Sequence, residues 1–286
     1  MTVTPASTAT HAELTAEQVQ KILVQPLTDT SVFLSAGPRI FDTNGSQIRI
    51  PKMGGATSPD WHGENEQISE VETDFDEITL LPSTMKSVKV ITRFSNELAR
   101  QSIVALDATL RNRLVTDVAD KLDRQFLSAG GDGTTTPLGL FAYQDTQNVP
   151  VGGPLDLDVL LDAWGKALAA NVNMGSLKWL LRPDDFVGLR KLKLTSGQYV
   201  LQPDPTKDGI FRLWGAPVTV TARIPEGKAA LADFGQIAVA RDLAPSVKVL
   251  TETYADYDQQ AIRVVARYDA APLNPEAIIT LTGITA

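Results

Sequence analysis

The sequence has no cysteine, two histidines and no long apolar run, and each shortage excludes a class of function. Without cysteine among its 286 residues, the chain has no disulfide, no thiolate nucleophile and no cysteine-bound zinc. The histidines, His11 and His62, lie far apart, and the sequence offers no catalytic triad, metal cluster or acid–base pair. No apolar run approaches the roughly 20 residues that cross a bilayer. We therefore expect a soluble protein made in a cytoplasm that is not an enzyme and needs no cofactor, metal or membrane.

Negative charge is concentrated in one segment of the chain. The net charge is −8, and all of it arises between Asp60 and Met85, a stretch with eight acids and neither lysine nor arginine. The remainder carries 26 acidic and 26 basic residues. Proteins that grip nucleic-acid phosphates usually present a basic face or stripe. The composition therefore does not predict tight DNA binding.

An apolar stripe predicts a long amphipathic helix over residues 104 to 128. At 1.5 Å per residue this helix would be about 37 Å long, and the glycines that follow Ala129 can close its C-terminus. An ordinary core helix closed by a glycine loop is the alternative interpretation of this stretch taken alone. Its apolar residues recur mostly every four positions and form the predicted core face, which comprises Leu106, Leu110, Leu114, Val118, Leu122 and Phe126.

Alternating residues between 46 and 93 predict a long two-stranded arm that includes the acidic segment. The apolar positions change their alternation phase between Phe75 and Ile78, which predicts a bulge near Asp76 and Glu77. Two strands without a covering helix are marginally stable in water, so we expect the arm to lie on a neighbouring molecule whose lysines and arginines complement the acids. A solvated acidic hairpin and a metal site are the alternatives, but the acids follow strand alternation and lack the pattern of a calcium loop.

The second half of the chain predicts a compact α+β lobe. A helix follows the candidate N-cap Asp156, a short buried strand spans residues 178 to 181, and a further helix begins at Pro183. Several strands follow, and the longest is expected over residues 260 to 270. The first residues of the chain are rich in threonine, alanine and serine, which is typical of an arm or a frayed terminus.

Several short motifs occur in a fixed order across the chain. They are Trp61 with Glu64, Arg111-Asn112-Arg113-Leu114, Gly131-Asp132-Gly133-Thr134, Pro137-Leu138-Gly139, Gly197-Gln198-Tyr199-Val200, Gly215-Ala216-Pro217-Val218, and the ending Arg263-Val264-Val265-Ala266-Arg267-Tyr268-Asp269 followed by Pro272 and Pro275. Their order and spacing carry more weight than any single motif. Together they resemble the major capsid proteins of tailed bacteriophages of the Hong Kong 97 type.

The resemblance implies an α+β fold of the Hong Kong 97 type with five segments. These are an N-terminal arm (residues 1 to 45), an extended β-hairpin loop (46 to 93), a peripheral domain with the spine helix and glycine loop (94 to 153), an axial α+β domain (154 to 253), and closing strands of the peripheral domain (254 to 286).

The resemblance also implies that the chain self-assembles into hexamers and pentamers of an icosahedral phage shell around double-stranded DNA, which it binds without sequence specificity. Portal, scaffolding and decoration proteins would be further partners, and the subunit would be assembled in the host cytoplasm and belong to the virion. The residues expected at contacts between subunits are Trp61, Glu64, Glu70, Glu72, Asp74, Asp76, Lys86, Lys89 and Arg93.

Two alternatives remain open at this point. An encapsulin-like nanocompartment shell resembles the same fold but encloses enzymes, and a soluble enzyme acting on carbohydrates or nucleotides would need a pocket of converging polar groups. One member of the family joins a loop lysine to an asparagine of a neighbour with the help of a glutamate. The corresponding places in this chain fall near Asp258 and Val265, so we expect no such crosslink, and Lys52 and Lys86 remain without evident partners.

Overall fold

The structure is a computed structural model in which helices, strands and loops are described for most of the chain. The described residues are 30–54, 61–62, 64, 74–81, 86–97, 106–194, 196–201, 211–242, 246–250 and 253–285. Within these ranges the α-helices are α1 (Val32–Ser35), α2 (Leu106–Phe126), α3 (Leu157–Ala169) and α4 (Pro183–Arg190). The strands are β1 (Arg39–Thr43), β2 (Ile48–Gly54), β3 (Asp74–Leu80), β4 (Ser87–Ser95), β5 (Gln147–Pro150), β6 (Leu177–Leu181), β7 (Arg212–Leu213), β8 (Ala216–Val220), β9 (Lys228–Asp233), β10 (Ile237–Asp242), β11 (Ser246–Leu250), β12 (Gln259–Pro272) and β13 (Ile278–Thr282).

The first sheet is organised around β12, which has 14 residues. On one side it pairs antiparallel with β4, through residues 259 to 267. On the other side it pairs with β11 through residues 261 to 265 and then with β10 through residues 268 to 272. Strand β1 adds in parallel to the outer edge of β10. The middle of β12 is therefore hydrogen-bonded along both edges.

The second sheet has six strands in the order β5-β13-β9-β6-β8-β7 and belongs to the α+β lobe. The carboxylate of Asp156 accepts a hydrogen bond from the Leu157 amide, as expected of an N-cap, and Pro183 opens α4 with two aspartates in its first turn. The lobe has its own core, in which Leu160, Trp179 and Leu231 are fully buried.

Helix α2 confirms the predicted spine and buries its apolar face in the first core. Leu114, Val118, Leu122 and Phe126 are all buried there, and each such side chain contributes roughly 1.5 to 3 kcal/mol through removal from water. Leu106 and Leu110 lie in the helix, but their side chains fall outside the described part of the structure. The same core contains one face of β12, namely Ile262, Val264, Ala266, Tyr268 and Ala270. In the described residues no helix is long and apolar enough to cross a membrane.

A buried aspartate on α2 holds the short helix α1 in place. The two carboxylate oxygens of Asp123 accept hydrogen bonds from the Ser31 hydroxyl (2.5 Å) and from the amides of Val32 (2.9 Å) and Phe33 (3.1 Å). The carboxylate therefore lies at the N-terminus of α1, where free amides and the helix dipole favour negative charge. Phe33 then packs on Phe126, with ring centroids 4.9 Å apart.

Glycines close the loop after α2, as the sequence predicted. Gly131 has a φ of +122°, and a Cβ atom there would lie 2.3 Å from the Pro137 carbonyl oxygen. A Cβ at Gly139 would lie 2.2 Å from the Ser128 carbonyl oxygen. Between them, the Asp132 carboxylate accepts hydrogen bonds from the amides of Thr134, Thr135 and Thr136. Hydrogen bonds from the Thr135 hydroxyl and then from the Thr136 amide hold the pKa of Asp132 well below its usual range. Any larger residue at Gly131 or Gly139 would therefore force the loop to change its backbone conformation.

Strand pairing corrects two boundaries that the sequence suggested. Strand β4 lies in the first sheet beside β12, whereas the expected arm over residues 46 to 93 would have placed it in the hairpin. The hairpin consists of β2 and β3, and their register runs without a bulge from Asp74 to Leu80, so the expected bulge is wrong. Sheet membership also crosses the expected lobe boundaries, because β10 and β11 join the first sheet and β5 and β13 join the second.

Replacing Asp123 with alanine should destabilise the subunit by about 3 kcal/mol, because two buried donors and one partly buried donor lose their acceptor. Asp117→Ala is the matched control on the same helix, since Asp117 is exposed in its pair with Arg113 and its loss should cost at most about 0.5 kcal/mol. The measurement is the free energy of unfolding of unassembled subunits in urea. Equal unfolding midpoints for the two variants would contradict the role given to Asp123.

Candidate functional site

The base of the β2–β3 hairpin packs on the subunit's own first sheet. Ile48 lies opposite Leu80 and Ile50 lies opposite Ile78, so four apolar residues share one face of the hairpin. This face packs against the small residues Ala238 and Ala240 of β10. The sequence predicted that the arm would find its apolar cover on a neighbour, and for this basal part the prediction is wrong because β10 supplies the cover.

A buried ion pair fixes the point where the hairpin joins the sheet. The Lys86 ammonium donates to Asp269 Oδ1 at 2.6 Å, and the two side chains are 7% and 1% exposed. Asp269 Oδ2 also accepts from the Leu81 amide at 3.0 Å. Leu81 has a φ of +51°, an unfavourable value for a bulky residue, and this hydrogen bond helps to hold it.

The position of Lys86 corrects its predicted role. From the sequence, Lys86 is expected at a contact between subunits and has no evident partner. In the fold its ammonium group is buried against a carboxylate of the same chain. Because moving this charge out of its pair would leave Asp269 buried and uncompensated, Lys86 acts inside the subunit.

The outer part of the hairpin is charged and exposed. Beyond Ile50 and Ile78, Pro51 pairs with Glu77 and Lys52 pairs with Asp76, and all four residues are exposed. Arg49 lies 3.6 Å from Glu77 in a solvent-accessible ion pair. Trp61 and Glu64 are also exposed. Asp74 lies in β3, but its side chain is outside the described part of the structure. Glu70 and Glu72 lie outside the described residues. The described acidic side chains beyond the hairpin base are therefore exposed to solvent.

One face of β4 presents unpaired positive charge. Lys89, Ile91 and Arg93 are exposed on it, and Ile91 is 50% accessible. Arg263 of β12 lies opposite Ile91, and its Nε is buried without a hydrogen-bond partner. Within the described ranges neither Lys89 nor Arg263 meets a carboxylate, and the Arg93 guanidinium lies 4.2 Å from the centroid of the Tyr254 ring. We call Lys89, Ile91, Arg93 and Arg263 the basic sheet face.

An exposed apolar surface on the α+β lobe was not predicted from the sequence. Leu161 and Leu168 of α3 are about half exposed, on the side away from the buried Leu160, Ala163 and Ala167. The sequence pattern of α3 could have predicted this surface, because apolar residues lie on more than one side of the helix, whereas a surface helix ordinarily has one apolar stripe. Other exposed apolar residues of the lobe are Val187, Leu194, Tyr199, Val200, Trp214 and Val220.

The described residues contain no group of three or more histidine, aspartate or glutamate side chains that could hold a metal ion. His62 is exposed beside Trp61 in the hairpin region. The features that stand out are therefore surfaces: an acidic hairpin, a basic sheet face and an apolar patch. Surfaces of this kind are typical of contacts between macromolecules.

Lys86→Met should destabilise the subunit by about 3 kcal/mol, because it leaves the Asp269 carboxylate buried without its cation. The Leu81 amide should also exchange its hydrogen faster, since the hairpin base loses its anchor. Lys89→Met, three residues further along and exposed, is the matched control and should change the free energy of unfolding by at most about 0.5 kcal/mol. Unfolding in urea and hydrogen exchange test this, and equal behaviour of the two variants would contradict the anchoring role.

The chain has detectable relatives over almost its whole length. Residues 13–283 match the model described as the phage capsid family. The major capsid protein of Klebsiella oxytoca phage phiKO2 is 24% identical over 298 residues, and the alignment covers 95% of this chain and 68% of that protein.

Solved structures share the fold at low sequence identity. The capsid of the native GTA particle superposes with a TM-score of 0.70 at 18% identity, covering 99% of this chain and 96% of that chain. The structure from Mycobacterium phage Adephagia superposes with a TM-score of 0.71 at 18% identity, covering 90% of this chain and 91% of that one. The expected α+β fold of the Hong Kong 97 type is confirmed, and the chain belongs to the phage capsid family, whose members are structural proteins of the virion.

Proposed function

We propose that the chain self-assembles into hexamers and pentamers of an icosahedral shell that encloses double-stranded DNA. Membership of the phage capsid family supports a role in the shell. The observation that carries the finer proposal is the hairpin, whose base is packed on its own sheet while its acidic outer part is exposed.

The alternation pattern of the hairpin favours a contact between its outer segment and a neighbouring subunit. Ile78 and Leu80 share the phase that faces the subunit's own sheet. Because no bulge interrupts β3, position 75 falls on the opposite phase. In the sequence, Val71 and Phe75 alternate with acids. An isolated two-stranded hairpin is marginal in water, so a neighbouring subunit would stabilise this outer segment.

Charge on the same subunit is complementary to the hairpin. Several acidic residues follow Trp61 in the sequence, namely Glu64, Glu70, Glu72, Asp74 and Asp76. The basic sheet face provides Lys89 and Arg93 as complementary charges. We propose that the acidic and basic surfaces meet between neighbours, with Trp61 at the contact. An acidic surface that meets a different, basic surface of the next copy makes a head-to-tail contact, which closes into rings at a suitable rotation. Complementary charge then sets orientation and register more than raw affinity.

The α+β lobe would occupy the centre of each hexamer or pentamer, and α2 and the first sheet would form the periphery. Its exposed leucines and Trp214 support this arrangement, because an apolar patch of this kind marks a contact between proteins. The N-terminal residues 1 to 45 would act as an arm, of which residues 30 to 45 are described. Portal, scaffolding and decoration proteins would be further partners, DNA would be held without sequence recognition, and assembly would take place in the host cytoplasm.

The protein expressed alone should form closed shells or capsomer rings, because the complementary surfaces lie on one chain. Size-exclusion chromatography followed by electron microscopy tests this directly. Nucleic acid inside the particles would agree with a phage shell, whereas enclosed enzymes would favour an encapsulin-like compartment. A stable monomer of 30.8 kDa with an ordered acidic hairpin would contradict the proposal.

Assembled particles should separate into single 30.8 kDa chains on a denaturing gel. The resemblance places the asparagine and the glutamate that a lysine crosslink needs near Asp258 and Val265, neither of which is the required residue, and Lys86 is buried in its pair with Asp269. A ladder of covalent multimers from the unmodified protein would show this prediction to be wrong.

A further inference from the structure

The Lys86–Asp269 pair holds an amine against a carboxyl group at a site that is almost excluded from solvent. The Lys86 ammonium lies 2.6 Å from Asp269 Oδ1, and the two side chains are 7% and 1% exposed. Asp269 Cγ is one bond beyond Oδ1, so the Lys86 nitrogen lies within about 4 Å of the carboxyl carbon. Groups held at such a distance react as if they were highly concentrated. The pair is therefore placed for bond formation as well as for charge neutralisation.

The surroundings of the pair are apolar. Asp269 lies opposite Ala240 in the register of β12 and β10, and Ala240 is fully buried. Leu80 and Leu81, at the end of the hairpin, are also buried and belong to the same apolar cluster as Ala240. Such surroundings make it costly to keep both groups charged. A proton that moves from the ammonium to the carboxylate along the 2.6 Å contact removes both charges and leaves a neutral amine beside a carboxylic acid.

Backbone amides give the two carboxyl oxygens different environments. The Leu81 amide donates to Oδ2 at 3.0 Å, and the Ala270 amide donates to Oδ1 at 2.9 Å. When an amine adds to a carboxyl carbon, negative charge develops on the oxygen that remains, and a fixed N–H donor stabilises that charge. The Leu81 amide is such a donor for Oδ2, whereas Oδ1 is the oxygen in contact with the Lys86 nitrogen.

The backbone conformation of Leu81 supports a role for its amide beyond closing the hairpin. Its φ is +51°, which bulky side chains seldom adopt. Strained residues of this kind are concentrated at sites where the backbone geometry takes part in function. Here the strained conformation directs the Leu81 amide at Asp269 Oδ2.

We propose that Lys86 and Asp269 join spontaneously in an isopeptide bond within one subunit. The neutral Lys86 nitrogen attacks Asp269 Cγ and forms the new C–N bond, while Oδ2 carries the developing negative charge. Oδ1, which already holds the first proton, takes a second proton from the nitrogen and leaves as water when its bond to Cγ breaks. The ammonium and the carboxylate thus become one amide and one water molecule, and no further reactant is consumed.

The bond lies inside one chain and differs from a crosslink between subunits. Assembled particles that contain it still separate into single chains on a denaturing gel. The bond joins β12 to the residue before β4, at the point where the hairpin meets the first sheet. The hairpin base then cannot detach from β12 at this point unless a covalent bond is broken.

The intact mass of the folded full-length protein tests the proposal directly. Loss of one water should lower the mass by about 18 Da in protein that is purified in its native state and then denatured. Lys86→Arg should keep its full mass, because a guanidinium preserves the positive charge but stays protonated and is no nucleophile. Lys121→Arg, at an exposed position of α2, is the matched control and should lose the same mass as the natural sequence.

Proteolytic digestion should locate the bond. Trypsin should no longer cleave after Lys86, and one branched peptide should contain both Lys86 and Asp269. Folded protein that retains its full mass after long incubation would overturn the proposal. A water loss that persists in Lys86→Arg, or that maps to other residues, would overturn it as well. None of these outcomes bears on the proposed function, because the bond concerns a single subunit.

Discussion

The hydrogen-bond ladders of β12 hold together every other feature of the first sheet. Residues 261 to 265 pair with β4 on one side and with β11 on the other, and the end of the strand pairs with β10. One face of β12 supplies the apolar residues on which α2 packs. Asp269, near the strand's C-terminal end, anchors both the hairpin turn and Lys86. Loss of this strand would therefore release the helix and the hairpin together.

The subunit divides its surfaces between internal and external use at the hairpin. At the base, isoleucines and Leu80 pack on the alanines of β10, and Lys86 is neutralised by Asp269. Beyond the base, Lys52, Asp76 and Glu77 are exposed. A buried ion pair is a costly anchor because both ions lose water, but breaking it costs more, so the base is rigid.

Local features were predictable because their causes lie within a few residues of one another. The stripe from Leu114 to Phe126, the N-cap Asp156 and the helix start at Pro183 all depend on backbone geometry over one or two turns. The glycine loop depends on positive φ and on a close approach to Pro137. The errors concern pairing between distant segments: β4 was assigned to the hairpin, and Lys86 was assigned to a contact between subunits. The roles of Asp123 and Asp269 were not predictable, because their partners are distant in the sequence. The partners of Asp123 lie 90 to 92 residues away, and Lys86 lies 183 residues from Asp269.

Composition and periodicity alone established the absence of cysteine chemistry, the acidic segment, the long helix and the alternating strands, because these are properties of the residues and their spacing. The partner of each strand, the two-sided pairing of β12 and the burial of Lys86 against Asp269 arose in the folded chain. Alternation specifies which side chains share a face of a strand, but it does not specify the strand that will lie beside it. That choice depends on how distant segments pack around a shared core, and the free energy of that packing is a property of the whole fold.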